Sequence, residues 1–171
     1  MSISLQGTIG RGEFERALNF SVADGEVLAI TGPNGSGKST LAMALLDLLG
    51  QTGAKISGQV EVLGHDWLKL NVTERSRLRA SFQVIFQDPF GSLNPCQTVE
   101  YMVKRGLLLQ GIKPSDVHKR AVTLLNQVGL GEQSLKRKPI NFSGGQRQRI
   151  GIARALSMSP DVVVADESVS A

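Results

Sequence analysis

The sequence predicts an α/β fold with one core domain and a mostly helical insertion, and three observations lead to it. The stretch GEVLAI (Gly25 to Ile30) is apolar and leads into TGPNGSGKST, after which leucines recur at helical spacing. From Asp88 to about Pro139 the apolar residues keep a helical period. The chain then returns to a β-branched run, DVVVA, which ends in a pair of acids.

Taken in order, GEVLAI lies between Asp24-Gly25 and Gly32-Pro33 and is expected to be a short buried strand. Leu41, Leu45, Leu48 and Leu49 then mark a helix that stops at Gly50. GQVEVLG (Gly58 to Gly64) alternates Val60 and Val62 with polar neighbours, and SFQVIFQ (Ser81 to Gln87) is β-branched and aromatic, so both read as strands. Between them TERSRLRA reads as a short basic helix. PFGSLNP is turn-rich, whereas VEYMVKRGLLLQ and DVHKRAVTLLNQVGL carry helical spacing and end at glycines. SGGQRQRIGIARALSMSP places two glycines ahead of a helix that must stop before Pro160, and Asp161 to Ala165 forms the last strand. No internal repeat or low-complexity tract is present.

Composition bounds the chemistry without deciding it. At 171 residues, 41% hydrophobic and 20% charged, the chain is long enough for one well-cored domain. The net charge of +4 is spread out, and Lys136, Arg137 and Lys138, its tightest cluster, reads as a solvated loop. No nucleic-acid partner is expected. Cys96 stands alone, which excludes an intrachain disulfide and fits a reducing compartment. The N-terminus lacks a basic region followed by an apolar run, and LAMALLDLLG is short and broken by Asp47, so neither a secretion signal nor a membrane span is expected.

Gly32, Gly37, Lys38 and Ser39 satisfy G-x-x-x-x-G-K-[ST] in the strand, loop, helix context that this pattern requires. Glycines let backbone N–H groups turn inward around phosphate oxygens, and the following helix adds the positive end of its dipole. Candidate phosphate contacts are therefore Gly32, Pro33, Asn34, Gly35, Ser36, Gly37, Lys38, Ser39 and Thr40. Lys38 can reach the outer phosphates as a compact cation, and the Ser39 hydroxyl can hold a magnesium ion. A structural glycine turn is the alternative, but it has no need of Lys-Ser at that offset.

Asp166 follows three valines and an alanine, which places it at the exposed end of a buried parallel strand. There it can hold the same ion through water, while Glu167 orients and polarises an attacking water. By itself the pair could equally be a helix cap with an acidic first turn.

FSGGQRQRIGIARAL (Phe142 to Leu156) resembles the signature of the ATP-binding cassette family. With GPNGSGKST, Gln87 of IFQDP and VVVADE, four motifs stand in that family's order over nearly the whole chain. The resemblance implies a P-loop NTPase (RecA-like) core with an antiparallel β part and an inserted α-helical subdomain. Residues 1–87 would form the phosphate-loop core and β part, 88–140 the helical subdomain, and 141–171 the signature helix and the strand that ends in the Asp-Glu pair. It also implies ATP and Mg2+ as ligands, with Glu167 and Gln87 catalytic and Ser39, Gln87 and Asp166 around the metal. A second such ATPase subunit, identical or not, would present Ser143, Gly144, Gly145 and Gln146 to the terminal phosphate, making a dimer the hydrolysing unit.

The wording QDPFGSLNP is similar to the oligopeptide, dipeptide and nickel importer branch. That implies an ATPase attached peripherally at the cytoplasmic face of the inner membrane, bound to permease subunits and served indirectly by a solute-binding protein. The alternatives are a nucleotide-binding or interaction fragment without turnover, and a soluble cassette protein of DNA repair, translation or phosphonate metabolism.

The sequence departs from the family pattern in three places. The region aligned with the family's adenine-stacking aromatic holds Ile9, with Phe14 the nearest aromatic. The usual proline after the Asp-Glu pair is Ser168. Ser170-Ala171 resembles the start of the family's D-loop, after which another strand and a switch histidine would follow, so the C-terminal part of the core is expected to be missing. His65 and His118 precede the carboxylates and are expected to be surface residues.

Overall fold

The computed structural model describes residues 3–11, 14–33, 35–45, 55–79, 81–85 and 89–166, and they fall into two compact units, 1–79 and 80–171.

In the first unit, strands β1 (Ile3–Arg11), β2 (Phe14–Val22), β3 (Lys55–Val62) and β4 (His65–Asp66) form an antiparallel sheet in the order β2-β1-β3-β4. The sequence expectation contains neither β1 nor β2, although Ile3, Leu5 and Ile9 alternate with polar residues in the period of a half-buried strand. Those three side chains are buried, and so are Val60 and Val62, which the alternation in β3 predicts. Leu5 faces Val60 across the β1–β3 ladder and Ile3 faces Val62, so the apolar pairs share one face.

Gly7 pairs with Gly58 in the same ladder, and only glycines fit there. A Cβ on Gly7 would lie 2.0 Å from the Ser57 carbonyl oxygen, and one on Gly58 (φ 106°) would lie 2.5 Å from that of Gln6. Leu63 and Gly64, both left-handed at φ 52° and 81°, turn β3 into β4, and the Trp67 N–H then returns to the Val60 carbonyl at 2.8 Å. The expected basic helix is α2 (Val72–Arg79), preceded by a reciprocal cap in which Asn71 and Glu74 each accept from the other's backbone N–H.

Gly25–Ile30 is not the buried strand that its composition predicts. Residues 26–33 join no ladder among the described residues, and Val27 is 95% exposed. An apolar run records a tendency to be buried, but a strand needs a neighbour to take its N–H and C=O groups, and this sheet supplies none to it. The helix that follows, α1 (Lys38–Leu45), forms as expected, and its extension toward Gly50 lies outside the described residues.

In the second unit, β5 (Phe82–Ile85) and β6 (Val162–Ala165) are parallel, with Phe82 opposite Val162 and Ile85 opposite Ala165. The helices are α3 (Pro89–Ser92), α4 (Val99–Leu109), α5 (Pro114–Gln127) and α6 (Gly144–Leu156). The helical insertion is thus present, and Gly111 and Gly129, at φ 76° and 71°, follow α4 and α5 as the sequence predicts. Val103 and Leu107 of α4, Ala121 and Leu125 of α5, and Ile150 and Ala153 of α6 share one core. Lys136, Arg137 and Lys138 are exposed in a loop, and His65 and His118 lie at the surface.

The sequence overstates the burial of β6. Val162 and Val164 are half-buried and Val163 is 43% exposed, because β5 covers one edge and no second strand lies beside β6 among the described residues.

Gly58→Ala should cost about 2 kcal/mol or more in the full-length chain, since left-handed strain adds to backbone overlap. Gly64→Ala, whose Cβ would meet open space, should cost about 1 kcal/mol. Urea unfolding measures both, and equal losses would mean that the glycine pair is not a tight contact.

Candidate functional site

The phosphate loop is built by two left-handed glycines and one lysine. Gly35 (φ 80°) and Gly37 (φ 96°) bend the backbone in a way that L side chains resist, and the Ser36 N–H closes a turn on the Pro33 carbonyl at 3.2 Å. The Lys38 ammonium reaches back across the loop and donates to the Gly32 and Pro33 carbonyls at 2.8 and 3.1 Å. A Cβ on Gly32 would come within 2.8 Å of the Ser36 hydroxyl, which would have to turn aside.

Lys38 begins α1, and the Leu41 N–H bonds the Gly37 carbonyl at 2.9 Å. Ser39 is exposed, Thr40 is half-buried and Leu41 is buried, so the helix is anchored on one side while the Ser39 hydroxyl stays accessible. First-turn N–H groups lack partners within their helix and carry the positive end of its dipole. A curled backbone, a cation spanning it and an accessible hydroxyl suit a polyphosphate with a hard cation. Asn34 lies outside the described residues.

The signature segment forms a second exposed helix start. Ser143 caps α6: its hydroxyl accepts from the Gln146 N–H at 3.3 Å, and the Gln146 side-chain oxygen accepts from the Ser143 N–H at 3.1 Å. The S-x-x-Q spacing of Ser143 and Gln146 is the sequence signal for this capping box. Gly144 and Gly145 are exposed, and a Cβ on either would meet nothing within 4 Å. Their lack of side chains serves no internal packing, and it leaves this end of α6 open to close approach by another body.

The chain entering that cap is held firmly. Phe142 is buried, with the Arg137 guanidinium 4.1 Å above its ring centre. Arg137 also donates to the Asn141 carbonyl, and Arg147 Nε donates to that of Phe142 at 2.9 Å.

Asp166 follows β6 directly, is half-buried, and donates its N–H to the Ile85 carbonyl at 3.0 Å. Because β5 and β6 are parallel, the chain leaves Ile85 toward Gln87 at the same end of the ladder where it leaves Ala165 toward Asp166. Gln87 and Glu167 lie outside the described residues. The second unit therefore contains Asp166 and the Ser143 to Gln146 cap, and the first contains the phosphate loop. Ile9 is 2% exposed within the first sheet, so its side chain is not available to a nucleobase.

The family model described as ABC transporter matches residues 16–170. A Brucella ovis protein, provisionally named a peptide import ATP-binding protein, is 44% identical over 155 residues, 90% of this chain and 48% of its own length. The oligopeptide transport ATP-binding protein OppD of Mycobacterium tuberculosis is 41% identical over 99% of this chain and 27% of its own. The chain thus spans about half the length of the first relative and about a quarter of the second.

Among solved structures, cbiO1 of Clostridium perfringens, part of the ABC transporter complex cbiONQ, superposes with a TM-score of 0.81 at 27% identity. That match covers 96% of this chain and 64% of cbiO1. The ATP-binding cassette MJ0796, solved as a post-hydrolysis dimer with ADP and Pi, gives 0.77 at 30% identity over 98% of this chain and 74% of its own.

Ser143→Ala should lower stability in urea by about 1 kcal/mol through loss of the cap. Gly144→Ala and Gly145→Ala should each leave it unchanged or raise it by up to about 1 kcal/mol, because alanine is the better helix former and meets open space. A large loss for either glycine variant would show that these positions serve packing after all.

Proposed function

This chain belongs to the ATP-binding cassette transporter family, and on that premise we propose that it binds and hydrolyses ATP to drive an importer, with peptides as the transported class. The observation that carries this reading is the phosphate loop, in which Lys38 spans a backbone curled by Gly35 and Gly37 while Ser39 remains accessible. Gly32 to Thr40 would hold the phosphates. Ser39, Gln87 and Asp166 would hold magnesium, which when bound supplies charge neutralisation at the outer phosphates.

Hydrolysis transfers the terminal phosphoryl group to water, breaking its bond to the ADP oxygen and forming one to the water oxygen. Glu167 orients that water and accepts its hydrogen bond, and Lys38 offsets negative charge on the phosphoryl oxygens. A second subunit would close the site with Ser143 to Gln146. The exposed, capped and unobstructed start of α6 supports that role. The names of the relatives support peptides over nickel. On the family reading the chain would attach to a permease at the cytoplasmic face of the membrane, with a solute-binding protein delivering the cargo. No described helix is long and apolar enough to cross a membrane.

A second reading is a body that holds nucleotide without turning it over. One assay separates the two. In the full-length chain Glu167→Gln should lower MgATP turnover on the order of a thousandfold while ATP affinity stays within a few-fold. Lys38→Ala should abolish detectable binding at micromolar nucleotide. Turnover that survives Glu167→Gln would exclude the hydrolytic reading.

A further inference from the structure

Within the exposed cluster of Lys136, Arg137 and Lys138, the middle side chain folds back onto the chain that leads to the α6 cap. Its guanidinium lies 4.1 Å above the centre of the Phe142 ring, and Nη2 donates to the Asn141 carbonyl. The Arg137 backbone is pinned on both sides: its N–H donates to the Ser134 carbonyl at 3.2 Å, and its carbonyl accepts from the Val99 N–H at 3.0 Å. Phe142 is 4% exposed, and its own N–H closes the short turn of Pro139–Asn141 on the Pro139 carbonyl at 3.1 Å. A planar guanidinium that covers an aromatic face and also donates to a neighbouring carbonyl fixes those two groups relative to each other, which the point charge of a lysine does less well.

Phe142 directly precedes the cap, which has little else to place it. The bonds between Ser143 and Gln146 run within the cap itself and set its shape. Gly144 and Gly145 have nothing within 4 Å of a Cβ, and the first buried side chain of α6 is Ile150, almost two turns further on. What fixes the entry is Phe142, with its ring under Arg137 and its carbonyl accepting from Arg147 Nε at 2.9 Å. We propose that Arg137 is a positioning residue for the Ser143 to Gly145 face, holding it where a polyphosphate carried by a second subunit would meet the Ser143 hydroxyl. A group that meets a transferring phosphoryl must be placed to a fraction of an ångström, so its loosening costs turnover more than nucleotide affinity, which belongs to the phosphate loop. The effect on turnover rests on the hydrolytic reading above, whereas the fixing of the cap can be measured without nucleotide.

The test compares Arg137→Met, Arg137→Lys and Lys136→Met with the unaltered full-length protein, by amide hydrogen exchange without nucleotide, by ATP affinity and by MgATP turnover per folded molecule. Arg137→Met keeps an apolar stem over the ring and loses the cation and the donor. It should speed exchange about tenfold at the amides of Phe142, Ser143 and Gln146, and leave those of Ile150 to Ala155 unaffected. It should also lower kcat about tenfold, with ATP affinity within about twofold. Arg137→Lys returns a cation to the ring and should bring kcat to within about threefold of the unaltered protein. Lys136→Met removes an exposed cation one residue away and should change none of the three readings.

Unchanged exchange at Phe142, Ser143 and Gln146 would overturn the proposal. So would faster exchange throughout α6, which marks a general packing role, or an equal loss of turnover in Lys136→Met, which marks an effect of bulk charge. A lysine variant no better than methionine, or ATP affinity that falls in step with kcat, would overturn it as well. If Arg137→Met does not fold, Arg137→Lys carries the same measurements, with a smaller rise in exchange expected at the same three amides. If the unaltered protein shows no turnover, the hydrolytic reading fails, and the exchange pattern still decides whether Arg137 fixes the cap.

Discussion

Backbone N–H groups that are to meet an anion cannot also be satisfied inside their own helix, and the rest of the architecture answers to that constraint. Both candidate anion-facing segments are helix starts, and in each a side chain of the helix's own first turn, Lys38 or Gln146, reaches back to the chain that enters it. At α1 the lysine ammonium binds the carbonyls of Gly32 and Pro33, and the Ser36 N–H closes a turn on Pro33, so the loop keeps its curl. At α6 the reciprocal Ser143–Gln146 cap uses two amides, and Phe142 beneath Arg137 fixes the chain that delivers them. Gly144 and Gly145 stay bare beside this support.

The two units solve the supporting problem with different physics. In the first, β1 and β3 approach closely enough at Gly7 and Gly58 that a side chain on either would strike backbone, and the flanking pairs Leu5–Val60 and Ile3–Val62 bury one face. The second relies on a helical core, in which α4 lies so near the end of α6 that a Cβ on Gly106 would fall 1.9 Å from the Ser157 hydroxyl. Close packing of this kind transmits displacement instead of absorbing it. That suits a subdomain whose exposed end is proposed to meet a second subunit.

Surface charge on the helical subdomain has a smaller part. His118 bridges toward Glu132 at 3.1 Å and Glu100 at 3.8 Å, and the hydrogen bond from Lys104 holds the Glu100 carboxyl below its ordinary pKa. These groups are solvent-accessible, so screening keeps each contribution small. Shape is set by the buried residues of α4, α5 and α6, and the charged residues mainly decorate it.

The sequence by itself determined whatever is encoded within a turn or two of chain. That includes the phosphate loop and the helix after it, the spans of α4, α5 and α6, the glycine stops at Gly111 and Gly129, and the exposed loop at Lys136 to Lys138. Periodicity, capping and left-handed glycine are local, so they can be read without knowing what lies opposite. Tertiary structure alone decided that Gly25–Ile30 would lie outside any described ladder, that β6 would be covered on only one edge, that Gly7 would meet Gly58, and that Arg154 would find Ser92. Each of these depends on a partner tens of residues away or on the presence of a neighbouring strand, and a local pattern carries the tendency to pair but not the partner.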